Sequence, residues 1–178
     1  KIVVIPNGAD LEKFENIKKN LTDKKEKIIF TDSRLVEKNG VEYLIRAIKL
    51  LKQNVKLLII GNGPLKEGLE KLVNELELQD QVEFLGRIPY EKIQDYYAQA
   101  DVFVRPSLSE GFGNVFIEAM AADVPVIATP VGGITDFLKE DETGWFCQPK
   151  NPKCLAEKIA YVLDEKNKAE VAHVVANA

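Results

Sequence analysis

The sequence predicts an α/β fold, a doubly wound parallel sheet of about six strands with helices on both faces. Three observations predict it. Short apolar runs alternate with segments of helical period, the rhythm of parallel strands joined by crossover helices. Turn residues such as Asn62-Gly63 and Gly132-Gly133 fall where a strand hands over to a helix. The length, 178 residues, suits one domain with a core of ordinary size.

The expected strands are 27–31, 56–60, 81–85, 101–104 and 124–128, with a weaker one at 144–147. Helical patterns occupy 41–53, 65–76, 90–99, 114–122, 134–138 and 152–164, and Pro64 suits a first helical position. Before them, Ile2-Val3-Val4-Ile5-Pro6-Asn7-Gly8-Ala9-Asp10 reads as a strand ending in a turn. A lysine-rich stretch, 12–27, follows as a linker or exposed loop. Three units result: an interdomain strand and linker at 1–26, the α/β domain at 27–165, and a C-terminal tail or helix at 166–178. In such sheets ligands bind beyond the carboxyl ends of the strands, near the point where strand order reverses. Arg34, Gly61, Arg87, Arg105, Ser107 and 129–133 all fall just past strand ends, so one rim collects them.

Composition removes several function classes. The net charge of −4 argues against wholesale nucleic-acid binding, which needs a basic face. No apolar run reaches the 18 or more residues of a membrane span, and no signal peptide opens the sequence. Two cysteines, Cys147 and Cys154, are too few for a disulfide framework and read as buried or incidental thiols in a reducing cytoplasm. With one histidine, His173, there is no Cys/His metal cluster, and no Asp-x-Asp pair offers a metal site. His173 lies in the weakly patterned tail and receives no catalytic role.

The most informative stretch runs Ser109-Glu110-Gly111-Phe112-Gly113-Asn114-Val115-Phe116-Ile117-Glu118-Ala119-Met120-Ala121. It places two glutamates eight residues apart across a glycine-hinged entry into a helix. A helix N-terminus offers unpaired N–H groups and positive dipole, and glycine admits a bulky anion close to the backbone. Separated by up to roughly 12 Å at about 1.5 Å per helical residue, the carboxylates suit the two ends of an elongated ligand. They are too far apart for an acid and base working on one bond. A dinucleotide fingerprint fails on spacing: Gly61-x-Gly63 meets Lys66, and Gly111-x-Gly113 meets Phe116, where a third glycine is required.

This stretch resembles the Glu-x7-Glu motif of family 4 retaining glycosyltransferases, and the chain resembles their donor-binding half. The resemblance extends from Ile2 to about Asp164. It implies the C-terminal, Rossmann-like half of a GT-B fold that transfers a sugar from a nucleotide sugar to an acceptor hydroxyl, without a metal and with retention of configuration. Polysaccharide or glycolipid biosynthesis is the implied setting. By resemblance Glu110 lies beside the transferred sugar and Glu118 holds the ribose hydroxyls, while Gly111, Phe112, Gly113, Asn114 and Val115 line the phosphates. Ser33-Arg34-Leu35-Val36-Glu37-Lys38-Asn39-Gly40 resembles the first βα loop, where an arginine and a lysine five residues later bracket the diphosphate. Arg34 fits, since a guanidinium binds phosphate oxygens in pairs. Five residues on stands Asn39, and the lysine, Lys38, comes one early: either Lys38 reaches round or Asn39 supplies a neutral hydrogen bond. Gly61, the loop carrying Arg87, and the paired Gly132-Gly133 match further donor contacts. Arg105 stands where an apolar residue is frequent; it pairs with Glu110 or Glu118, or lines the crevice.

The donor, a UDP- or GDP-sugar, is the implied substrate, and no cofactor is expected. An N-terminal acceptor domain is the implied partner, so the chain alone is expected to be inactive. The resemblance leaves a peripheral membrane association open for the complete enzyme. Two other readings stay open: a non-catalytic nucleotide-sugar-binding or interaction module, and half of a nucleotide-sugar epimerase, which needs acid/base residues not found here.

Overall fold

A computed structural model describes residues 13, 14, 17 and 26–178. Its strands are β1 (Lys27–Asp32), β2 (Val55–Ile60), β3 (Val82–Gly86), β4 (Val102–Arg105), β5 (Val126–Ala128) and β6 (Trp145–Phe146). They form one parallel sheet in the order β3-β2-β1-β4-β5-β6. The chain therefore starts in the middle, builds out to β3, and returns to lay β4 on the other side of β1. At that reversal the connections after β1 and β4 leave toward opposite faces, the place where such sheets bind ligands.

The helices are α1 (Val41–Ile48), α2 (Lys66–Glu75), α3 (Tyr90–Tyr97), α4 (Asn114–Ala121), α5 (Ile134–Phe137), α6 (Pro152–Leu163) and α7 (Lys168–Ala176). Because successive strand side chains point to opposite faces, each strand feeds two cores. Ile29, Leu57, Ile59, Val104 and Ile127 pack with α1, α2 and α6. Phe30, Leu58, Phe103 and Val126 pack with α3, α4 and α5. The second core is aromatic: Tyr97 meets Phe30 edge-on at 5.0 Å, and Phe103 meets Phe116 at 5.7 Å, the geometry that ring quadrupoles favour.

Several boundaries differ from expectation. α1 stops at Ile48, not at 53, because Leu50 and Leu51 bond back to Ala47 and Ile48 in a tighter turn that leads into β2. Pro64 lies two residues before α2. The tail resolves into α7, whose Val171 and Val174 are buried against the α6 side. The Ile2 to Asp10 strand and most of the expected linker lie outside the described residues. Within that linker, however, Phe14 is buried against Tyr97. Asp123, two residues past α4, takes a positive φ of 52°.

The cysteine expectation is corrected. Cys147 and Cys154 form a disulfide with Cα atoms 5.7 Å apart, since the chain leaves β6 and turns at once into the first turn of α6. The thiols therefore give no support to a cytoplasmic location. Among the described residues no helix is long and apolar enough to cross a membrane.

β1 ends on Asp32, whose carboxyl is pushed from 3.8 up to about 6 by burial; Arg105 opposes the shift and the charge of Glu118 adds to it. Two outcomes are expected. The native state binds more protons than the unfolded chain between about pH 4 and 6, so stability from Asp32 is fully present below that window and is lost as pH rises through about 6. Asp32→Asn should match the parent near pH 4 and exceed it by up to about 3 kcal/mol at pH 7.5 in urea denaturation. Cys154→Ser should lose roughly 2 kcal/mol in oxidising buffer, as expected for closing a short loop, and nothing relative to the parent under excess reductant.

Candidate functional site

The carboxyl rim is held together by backbone touching backbone. The loop after β1 meets the loop after β4 where the Lys38 carbonyl accepts from Leu108 N at 2.6 Å. Gly40, at φ 65°, lies there so close to Pro106 that a Cβ would come within 2.1 Å of its carbonyl oxygen. Across the next gap Gly132, at φ 57°, abuts Glu110 in the same way, with a Cβ predicted 1.8 Å from the Glu110 oxygen. Gly133 N donates to Gly111 O at 2.7 Å. Gly61 seats the β2 loop against Ser33. These glycines have a structural reason to be small before any ligand is considered.

On this scaffold sits a buried cation. Arg105, the last residue of β4, is 9% exposed and lies over the Phe116 ring, 5.8 Å from its centroid. Its Nη2 donates to Asn39 Oδ1 at 3.1 Å and contacts Glu110 Oε2 at 2.9 Å. That second contact is an ion pair without an aligned N–H, so Glu110 Oε2 keeps its hydrogen-bonding capacity unspent. Asn39 is itself fixed, donating through Nδ2 to the Arg34 carbonyl at 2.6 Å. Burial draws the Arg105 pKa down, while Glu110 and Asp32 hold it up. Of the alternatives for Arg105, the pairing is with Glu110.

Glu118 occupies a separate setting one turn inside α4. It is 7% exposed and accepts from Tyr90 Oη at 3.2 Å and from Tyr97 Oη at 3.3 Å. The Tyr97 proton is shared with the Val115 carbonyl at 3.1 Å. Burial raises the Glu118 pKa and the two tyrosine bonds oppose it; burial, then the Glu118 charge, pushes Tyr97 well above its ordinary range. Between the two acids, Gly113 at φ 82° starts α4, and no side chain caps that start. The leading N–H groups of Asn114 and Val115 are thus left for water or a ligand. Phe112 braces the loop edge-on against Phe137 of α5 at 5.5 Å.

Not every expected residue joins this group. Arg34 and Lys38 are exposed on the β1 loop, and no ion pair links either to the cluster among the described residues. Arg87 is exposed beyond edge strand β3, two strands from the crevice. Its loop nevertheless leads into α3, which supplies Tyr90 and Tyr97. His173 is exposed on α7. Sequence reasoning missed Asp32, Tyr90 and Tyr97. The signal for Asp32 was an ionisable residue closing an apolar run; the tyrosines read only as part of a helical pattern. Among the described residues no three His, Cys, Asp or Glu side chains gather to hold a metal.

Residues 12–176 match the model of the family described as glycosyl transferases group 1. An uncharacterized glycosyltransferase of Methanocaldococcus jannaschii is 37% identical over 177 residues, covering 93% of this chain and 45% of that protein. The sucrose-phosphate synthase of Thermosynechococcus elongatus superposes with a TM-score of 0.87 at 34% identity, covering 97% of this chain and 45% of that one. The HepE protein of Anabaena, solved in complex with UDP-glucose, superposes with a TM-score of 0.78 at 25% identity over 84% of this chain and 42% of its own. The chain spans about half the length of the curated relatives it matches. Its sheet order, its reversal between β1 and β4 and these matches lead to one conclusion: the chain belongs to the glycosyl transferases group 1 family.

Proposed function

We propose that this chain is the donor-binding half of a retaining glycosyltransferase, one that moves a sugar from a nucleoside diphosphate to an acceptor hydroxyl presented by another domain. The observation that carries the reading is the pair of acids flanking the open start of α4. Glu110 is set against Arg105, and Glu118 is cradled by Tyr90 and Tyr97. A ligand with hydroxyls at both ends and phosphates between fits that order. Glu118 accepts from the ribose hydroxyls, the α4 N–H groups meet the phosphates, and Glu110 faces the sugar. The complex of HepE with UDP-glucose supports a nucleotide-sugar ligand for this fold.

Cleaving the sugar–phosphate bond leaves positive charge on the sugar and negative charge on the diphosphate. Preorganised donors lower that barrier because they do not reorganise as the charge develops. Arg34 on the exposed β1 loop and the α4 N–H groups provide this counter-charge from protein groups, which is the basis for reading the reaction as metal-independent. The carboxylate of Glu110 stabilises charge on the sugar side. The acceptor hydroxyl has no binding residues assigned in this half, so the chain alone is read as binding donor without turning it over.

Calorimetric titration of this chain with UDP, GDP and their glucose and mannose conjugates, without added metal, tests the reading. One nucleotide should bind saturably. Glu118→Ala should weaken it about tenfold, the loss of a charge-assisted hydrogen bond. Glu110→Ala should remove the gain contributed by the sugar without weakening the nucleotide itself. Failure of the parent chain to bind any of these nucleotides overturns the reading.

A further inference from the structure

The loop after β1 shows no lysine turned into the cluster, yet β4 ends on a cation that the sheet has no packing reason to bury. Val102, Phe103 and Val104 before it are apolar and fully buried, so an apolar fourth residue would complete the strand. Arg105 instead brings a guanidinium with five N–H donors to the crevice. Nη2 serves Asn39 and touches Glu110. Nε is buried without a partner. The hydroxyls of Ser33 and Ser107, from the two loops that frame the crevice, are likewise buried and unpartnered. Native proteins rarely leave buried donors unmet, and such a cluster points to a ligand with several acceptor oxygens.

Resting on the nucleotide-sugar reading above, we propose that Arg105 is the residue that grips the donor's β-phosphate, set in place by Asn39, with Glu110 as its counter-ion until the donor arrives. Three features support the assignment. Glu110 is read as lying beside the transferred sugar, the β-phosphate is that sugar's neighbour, and Arg105 contacts Glu110 at 2.9 Å. Asn39 is fitted to position an arginine: its Nδ2 donates to Arg34 O, which turns Oδ1 toward Arg105 as an acceptor. A lysine at that position has no acceptor to offer. Asn39 is therefore a positioning residue: its Oδ1 is committed to Arg105 and an Nδ2 proton to Arg34 O. The ion pair with Glu110 lacks an aligned N–H, so the guanidinium gives up no hydrogen bond when phosphate oxygens replace the carboxylate.

The test compares UMP with UDP, which differ by the β-phosphate alone, in calorimetric titrations of this chain and its variants. The parent should prefer UDP. Arg105→Met should abolish that preference, a loss of about 10- to 100-fold for UDP with UMP unchanged. Glu110→Gln, which discharges the counter-ion, should tighten UDP by at least about threefold and leave UMP alone. Because Asn39 Oδ1 is 3.1 Å from Arg105 Nη2, the double variant Asn39→Lys with Arg105→Met returns a cation to nearly the same place and should restore the preference for UDP. Arg105→Met with an undiminished UDP preference, or Glu110→Gln with weaker UDP binding, overturns the role of Arg105 while leaving the nucleotide reading standing. If Arg105→Met does not fold, as judged by lost UMP binding, the Glu110→Gln result decides. A parent that binds neither UMP nor UDP overturns both.

Discussion

Everything at the rim depends on backbones that approach to contact distance. Four loops, following β2, β1, β4 and β5, stand side by side in sheet order, and each presses main chain against the next. Any side chain at Gly40 or Gly132 would overlap a neighbouring carbonyl. The resulting spacing brings Asn39 within hydrogen-bonding reach of Arg105, 66 positions away, and holds Glu110 against the same guanidinium. A loop released by even an ångström would leave a charged group buried without its partner, which is among the costlier defects a protein interior can carry. The loops are thus rigid for the same reason that the site is polar.

The electrostatics follow from that confinement. Asp32 and Glu110 lie in the field of one buried arginine, and burial raises the pKa of both Asp32 and Glu118. Each acid copes differently. Asp32 holds its proton up to about pH 6, Glu110 pairs with the cation, and Glu118 relies on two tyrosine hydroxyls. On the proposed reading these three solutions have different consequences. A paired acid is exchangeable against an incoming anion, whereas an acid held by neutral donors keeps its remaining lone pairs for ligand hydroxyls. An acid that keeps its proton up to about pH 6 adds less negative charge to the rim below that pH.

Much of this was legible before any coordinates. Alternating apolar runs and helical patterns reveal a parallel sheet, and turn residues after the runs reveal the rim, because both signals are local in the chain. Local signals fail where a distant partner decides. α1 was read five residues too long, since nothing in Leu50 or Leu51 shows that the chain must turn there to enter β2. The count of two cysteines gave no warning that β6 and α6 bring them together. Asn39 looked like a lost cation, when its amide in fact links the Arg34 carbonyl to Arg105. Arg105 itself reads from sequence as an anomaly with two possible partners, and only the crowding of the β4 loop selects Glu110.

A final consequence concerns how the labour is divided. Each group proposed to recognise the donor, from Tyr90 at one end to Glu110 at the other, is carried by the β1, β3 and β4 connections of this one sheet. On that proposal, donor affinity belongs to this chain on its own. Turnover has a further requirement. Charge developing during sugar transfer is stabilised by fixed dipoles far better when water is kept out, and a rim open on one side admits it. Covering that rim with a second surface would do two things at once: present the acceptor and strengthen every interaction already assembled here.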